Sequence, residues 1–418
     1  MGTSPAGRTA REDLVSVILG GDIGAYALGR EMHEAYGIPS VCVAAAPIGA
    51  ITHSKIFTHA AVSHLDAGEV IRTVQPIAEE AKAAGKRVFI QGNTDALIDV
   101  INESVPELPD NVVSAVPSPE VIARVGDKAE FARLCAEHGL DTPRTEVVQL
   151  KGDAAISPTQ IEFPLVAKPA VSAAYAPMLT KGFQKVYFME HQEQLDELWT
   201  SLRAAGFTGD FLVQELIAGD DTYMDSMTLY LSSEGSATMF GAAHVLLEDH
   251  APTMLGNPVA MITCQMPELW ERAAHMLESV GYRGFANFDI KRDAKTGRTI
   301  FLEVNPRIGR NSYYNAAAGV NPMTHCVPDA VDGTPATPER ISREVLYTLV
   351  PVSLLRRYVR DPELLAKVEG LVRAGAVVDP QRYNADRGIR RMLDVELTER
   401  NQVRKFAKYY PEPTDTSF

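Results

Sequence analysis

The stretch Phe301-Leu302-Glu303-Val304-Asn305-Pro306-Arg307 decides how this 418-residue chain is read. It has the period of a strand, on which side chains two residues apart share a face. Glu303 and Asn305 therefore present oxygen donors side by side, and Arg307 follows on that face if the strand runs on. Upstream, the run Phe285 to Arg292 is a second apolar strand carrying Asp289, fourteen residues before Glu303. A turn over Asp293 to Gly297 closes the two into a hairpin. Three hard oxygen ligands on one face suit magnesium, which takes few protein carboxylates and completes its octahedron with phosphate and water. A solvated surface hairpin explains two scattered acids equally well. The fixed phrase of an acid, a fourteen-residue interval and Glu-x-Asn-Pro-Arg favours a metal–phosphate role.

Composition sets the frame. Hydrophobic residues make up 45% and charged residues 22%, the balance of a globular protein long enough for two to four domains or lobes. The formal net charge of −14 argues against a general nucleic-acid or anionic-membrane surface. Cys42, Cys135, Cys264 and Cys326 are far apart and show no C-x-x-C pairing, as expected of a reduced, cytoplasmic chain. No apolar run approaches the length of a membrane span. Residues 1–12 are polar and read as a disordered tail.

From residue 13 to 116 the pattern alternates: strand Val15–Leu19, turn Gly20–Asp22, helix Ala25–Tyr36, strand Ser40–Ala44, helix Glu69–Ala84, strand Arg87–Gln91, turn Gly92–Asp95 and a further helix. Alternation of this kind indicates a parallel α/β layer, and such sheets bind ligands past the carboxyl ends of their strands. Both glycine turns lie there. A tight turn with a capping Asp or Thr accounts for them as well as a substrate role does.

Pro117-Ser118-Pro119 reads as a linker into a second unit, residues 117–330. There a helix over Asp127–His138 precedes strands Thr145–Gln149 and Pro164–Pro169, the latter carrying Lys168 near its end. The following stretch, Ala170 to Gly182, is rich in small residues and, with its flank, carries Ser172, Thr180, Lys181 and Lys185. It is a phosphate-covering lid or a plain loop. Phe211 to Glu215 is a strand ending in Gln214-Glu215, followed by a turn at Gly219-Asp220-Asp221. Pro267–Gly281 is an amphipathic helix before the hairpin, and Asp361–Ala374 is a helix in an extension over residues 331–418. His53, His59 and His64 fit no zinc spacing. His244, Glu248 and His250 share a strand face by their even separations.

The order strand-lysine (Lys168), Gln214-Glu215, then Asp289 and Glu303-x-Asn305-Pro306-Arg307 resembles the ATP-grasp enzymes over roughly residues 15–330. The resemblance implies an N-terminal α/β domain followed by a two-lobed α+β ATP-grasp fold with ATP and magnesium between the lobes. It implies that Lys128 and Lys168 contact phosphates, that Gln214, Glu215 and the neighbouring backbone read adenine, and that Asp221 binds ribose. Asp289, Glu303 and Asn305 would hold the metal, while Arg307 would bind a carboxylate or the transferred phosphoryl group beside Lys168. Within that superfamily the chain is most similar to peptidoglycan D-aspartate ligases, in Leu19-Gly-Gly-Asp22, Glu34-Ala-Tyr-Gly37, Ser54-Lys-Ile56 and Gly241 to Asn257. That similarity implies a carboxylate–amine ligase that forms an acyl phosphate and ADP, with an amino acid and an amine acceptor as its small-molecule partners. A ligase joining other amino acids and a nucleotide-binding regulator without catalysis are the competing readings. A homo-oligomer is left open.

Overall fold

The alternating strands and helices at the start of the chain form a parallel layer in the computed structural model. The structure describes residues 10–170, 172–252 and 254–415, apart from three side chains in the helix Ser172–Leu179. Strands β1 (Leu14–Leu19), β2 (Ser40–Ala44), β3 (Phe57–Ala61), β4 (Arg87–Gln91) and β5 (Val112–Ser114) stand in the order β3-β2-β1-β4-β5, all parallel. Helices Ile23–Tyr36 and Asp95–Ser104 start where Asp22 and Thr94 accept the N–H groups of Ala25 (2.9 Å) and Leu97 (3.3 Å). These caps satisfy donors the first helical turn leaves open. They also fix both glycine turns at the carboxyl ends of the central strands β1 and β4. Gly24 must be a glycine: a Cβ there would lie 1.9 Å from Asn93 Nδ2 and 3.1 Å from the Arg310 backbone.

Two expectations shift here. Residues 1–9 of the expected tail lie outside the described residues, but Arg11 is tied down by a bidentate pair with Asp332 (2.7 and 2.9 Å). The linker is shorter than its prolines suggest, because Pro119 is the first residue of a helix, Pro119–Gly126, capped by Ser118. Proline at that position costs no hydrogen bond.

Two antiparallel sheets follow. The smaller has strands β6 (Thr145–Gln149), β7 (Leu165–Pro169), β8 (Tyr187–Met189) and β9 (Asp210–Glu215) in the order β6-β9-β7-β8. Its core centres on Phe211, against which Tyr175, Trp199 and Phe207 pack edge-on. Tyr175 belongs to the helix Ser172–Leu179, so the small-residue stretch after Lys168 is largely helical and anchored; Val171 and the side chain of Ser172 lie outside the described residues.

The larger sheet comprises β10 (Met224–Leu231), β11 (Ala237–Asp249), β12 (Asn257–Thr263), β13 (Gly284–Arg292), β14 (Thr299–Asn305), β15 (Glu339–Arg340), β16 (Leu346–Thr348) and β17 (Val377–Val378). Its order is β14-β13-β10-β11-β12-β16-β17, with β15 beside β11. Helix Pro267–Ser279 covers one face, burying Trp270, Met276 and Leu277 with Leu229 and Phe288. β13 and β14 form the expected hairpin. Its turn is set by Asp293, whose carboxylate accepts Lys295 N–H and the Thr296 hydroxyl (both 2.8 Å), and by Gly297 at φ +73°.

The described part of the extension, residues 331–415, is woven into the rest rather than appended to it. It adds β15, β16 and β17 to the large sheet and sends a long helix, Ile389–Tyr409, back to the N-terminal layer. The link is a buried knot: Arg391 Nε pairs with Asp386 (2.9 Å), and Asp386 also accepts the Tyr26 and Ser54 hydroxyls (2.8 and 2.7 Å). The Arg391 guanidinium lies 4.5 Å from the Tyr26 ring centre. Removing one partner of a buried ion pair strands the other charge without water. Arg391→Ala should therefore cost about 3–5 kcal/mol in urea unfolding; a change within about 0.5 kcal/mol, the range of an ordinary surface substitution, would show the knot to be immaterial.

Candidate metal and nucleotide site

Period-two alternation brings the three oxygen ligands together, and the register of the hairpin completes the set. Asp289 sits directly opposite Glu303, and Asn287 opposite Asn305. Asn305 donates its amide N–H to Asp289 Oδ2 at 3.0 Å, leaving its carbonyl oxygen as the free donor atom. The expectation for Arg307 changes. The strand stops at Asn305, whose carbonyl accepts the Arg307 N–H (2.8 Å), and the Arg307 side chain turns to Asp95 on the N-terminal layer (3.1 Å).

Two lysines from other elements reach the same place. Lys128, the first residue of the helix Lys128–Glu137, places Nζ 3.1 Å from Glu303 Oε2. Lys168 on β7 is close enough to Glu303, Lys128, Lys185 and Asp289 for each to act on its charge. Burial lowers the Lys168 pKa, and the neighbouring lysines add to the effect while Glu303 opposes it. The two carboxylates diverge. Burial, then the facing Glu303, pushes Asp289 up. Burial works the same way on Glu303, but Lys128 and Lys168 outweigh it and hold this carboxyl low. Glu303 is ringed by protein yet keeps 41% of its side-chain surface open, as a group on the floor of a cleft does.

Like charges directly opposed on paired strands repel. Two carboxylates and an amide oxygen on one face, with an ammonium drawn onto one of them, form a set that a small divalent cation fits. These residues fit magnesium: Asp289, Glu303 and Asn305 are the ones that would hold it.

The hinge between the sheets is placed differently from expectation. Gln214 is buried and donates to Thr145 Oγ1 (2.8 Å), and Glu215 accepts the Arg144 N–H (3.1 Å) and approaches Arg298 (3.4 Å). Both side chains serve the structure. The backbone just beyond them, Leu216 and Ile217, makes no backbone hydrogen bond among the described residues. Asp221 does not face the cleft. It is 5% exposed, and its Oδ2 accepts the Glu248 N–H (2.9 Å) and lies 3.0 Å from His250 Nε2.

Glu248 has other neighbours than its spacing suggests. Its even spacing from His244 predicts one shared face, but the ladder of β11 with β12 is irregular twice between them, at Val245/Leu247 and at Leu247/Glu248. A one-residue bulge reverses the alternation beyond it. His244 consequently lies with Asp225 (2.8 Å) on the opposite face, while Glu248 shares the Asp289 face with Lys291. A cavity of about 1080 Å³ occupies that opposite face behind the hinge, lined by Arg144, Asp225, His244 and Arg292; of the predicted site residues only Glu215 borders it. The chemistry lies on the Asp289 face.

The two glycine turns, which the sequence leaves open to a substrate role, carry a further polar cluster. Arg310 Nε pairs with Asp22 (2.8 Å), which also accepts from Asn93 (3.1 Å), at the carboxyl ends of β1 and β4. Arg310 Nη1 and Asn93 Oδ1 are buried and have no hydrogen-bond partner among the described residues. The strand-end position of the glycine turns was the available signal; the pairing with Arg310, 288 residues away, was not visible. The close histidines make no joint site: His53 pairs with Asp394, His59 contacts the Ala44 carbonyl and His64 pairs with Asp66.

No family model matches the chain. It is 26% identical to a D-aspartate ligase of Enterococcus faecium over 409 residues, which covers 96% of this chain and 97% of that relative. It is 28% identical to a D-alanine–D-alanine ligase of Xylella fastidiosa over 197 residues, 45% of this chain and 60% of the relative. Among solved structures, an N5-carboxyaminoimidazole synthetase from Staphylococcus aureus complexed with ADP is similar with a TM-score of 0.55 at 10% identity, covering 81% of this chain and 82% of that one. That structural likeness carries the fold: a parallel α/β layer followed by the antiparallel sheets of an ATP-grasp architecture. In sequence the chain is similar from end to end to an amino-acid ligase.

Proposed function

We propose that this chain is an ATP-dependent, ADP-forming ligase that activates D-aspartate and transfers it to the side-chain amine of a lysine in a peptidoglycan precursor. The chemistry rests on one observation, the pairing of Asp289 with Glu303 beside Asn305 and under Lys128 and Lys168. The substrate rests on the similarity to a D-aspartate ligase along nearly the whole chain.

In the first step a carboxylate oxygen of the amino acid attacks the γ-phosphorus of ATP. The new O–P bond forms as the β,γ-bridging bond breaks, giving an acyl phosphate and ADP. In the second, the neutral amine attacks the acyl carbon, phosphate leaves with the bridging oxygen, and the proton lost from nitrogen passes to the departing phosphate. The first step brings two anions together, and cationic side chains aimed at that place offset the repulsion. Lys128 and Lys168 bind the phosphates. Arg307 orients the attacking carboxylate with the guanidinium edge that Asp95 leaves free. Magnesium held by Asp289, Glu303 and Asn305 would neutralise the β- and γ-phosphate oxygens. The Leu216–Ile217 backbone reads adenine, and Glu248 takes the ribose role first expected of Asp221. Asp22, Asn93 and Arg310 at the ends of β1 and β4 suit a zwitterion, the carboxylate for ammonium and the guanidinium for carboxylate. The segment Thr180–Lys185, whose Lys185 acts on both Lys168 and Glu303, shields the acyl phosphate from water.

Glu303→Ala and Asp289→Ala should each cut magnesium-dependent ADP release by roughly a thousandfold or more while the far-ultraviolet dichroism stays that of the wild type; ADP release retained in either variant refutes the metal assignment. In a screen of D- and L-amino acids with and without a lysine-bearing acceptor, D-aspartate should give the largest acceptor-dependent ADP release. Success of another acid in its place would point to a different amide product, and no stimulation by any pair would favour a regulator.

A further inference from the structure

Two contacts from the end of the chain converge on the hinge turn, Gly219 to Tyr223, that joins β9 to β10. The first is a ring stack. Tyr410, which closes the helix Ile389–Tyr409, lies parallel to the His250 imidazole with centroids 3.6 Å apart and planes 4° apart. Behind the stack, His250 holds Asp221, and the same Asp221 oxygen holds the Glu248 N–H just past the bulge that aims Glu248 into the cleft. Lys405, one turn back on the helix, reaches Asp249 (3.4 Å).

The second contact is ionic. Arg360 donates to Asp220 Oδ2 (2.9 Å) and is held by the Thr414 carbonyl (2.9 Å) and the Asp415 carboxylate (2.7 Å). Asp220 in turn caps the turn, accepting the Thr222 N–H (3.0 Å) and hydroxyl (2.6 Å). The two contacts are one unit, because the Tyr410 hydroxyl accepts the Thr414 N–H (2.8 Å).

We propose that the tail from Lys405 to Asp415 is a brace for the nucleotide side of the cleft, with Tyr410 and Asp415 as positioning residues that act through Asp221 and Asp220. The inference rests on the nucleotide reading given above. The hinge turn absorbs any change in the angle between the two sheets, and a few residues of this kind set how a cleft closes. With the stack removed, His250 can rotate away and the buried Asp221 loses a side-chain partner, so the anchor of the Glu248 N–H slackens. None of these contacts touches Asp289, Glu303, Asn305, Lys128 or Lys168. The brace therefore affects how ATP is held, and the phosphoryl transfer itself is left alone.

The test uses the full chain and compares Tyr410→Ala, Tyr410→Phe and Asp415→Ala with the wild type, in steady-state kinetics and in calorimetric binding of a non-hydrolysable ATP analogue. Tyr410→Ala should raise KM for ATP and the analogue's Kd by about tenfold, with kcat and the amino-acid KM within about twofold of wild type. Tyr410→Phe keeps the ring and should restore most of the affinity; Asp415→Ala should move the same constants less. A KM for ATP unchanged in Tyr410→Ala overturns the brace. So does a joint fall in kcat, both affinities and the melting temperature, which a merely structural role would give. A wild-type chain that binds no analogue would overturn the nucleotide reading itself, whereas a wild type that binds with Tyr410→Ala matching it overturns the brace alone.

Discussion

Two carboxylates face each other across neighbouring strands, and the structure is arranged around that repulsion. Asp289 and Glu303 are set opposite by the register of β13 with β14, and register on a half-buried sheet is fixed by which face must be apolar. Phe288, Ile290 and Phe301 bury one face of the hairpin in the main core. A slip of one residue would turn those aromatic rings to solvent and drive the acids into the core. The apolar face thus holds in place an arrangement of charge that would not assemble by itself.

The cations that answer it come from elsewhere. Lys168 arrives on the small sheet and Lys128 on the helix before it, so their meeting with Glu303 depends on how the two sheets oppose each other. The N-terminal layer is held against the large sheet through a line of polar contacts on the loop after Asn305: Arg307 to Asp95, Arg310 to Asp22, Ser312 to the buried Glu31 and Tyr313 to Glu34. The loop that leaves the metal ligands is therefore the loop that docks the first domain, which puts the ends of β1 and β4 beside the cleft. The Arg391–Asp386 knot ties the C-terminal extension, which adds β15, β16 and β17 to the large sheet, to the same N-terminal layer.

The hairpin was legible because its signal is local: period-two apolar residues, acids at a fixed interval and a turn built by Asp293 and Gly297. Strands β2, β4 and β6 were legible for the same reason. Strand β3 was not, since at the sheet edge Thr58, His59 and Ala61 are exposed and the run has no apolar signature. The helix Ile389–Tyr409 was missed because its apolar residues do not mark its buried face. Val395 and Phe406 are buried, whereas Ile389, Leu393 and Leu397 are exposed. In the site, an even spacing misplaced Glu248 relative to His244, because a bulge is an event between strands and leaves no mark on spacing. Asp221 and its neighbour Asp220 are indistinguishable by composition; only their partners separate a buried anchor from a turn cap.

The decisive measurement is a crystal structure with magnesium and a non-hydrolysable ATP analogue. It should show an ion bound at about 2.0–2.1 Å by oxygens of Asp289, Glu303 or Asn305 and contacting the terminal phosphates, with the ammonium of Lys128 moved off Glu303 toward those phosphates. An analogue bound in the cleft with its ion held by other residues, and the Asp289–Glu303 pair left bare, would contradict the metal assignment.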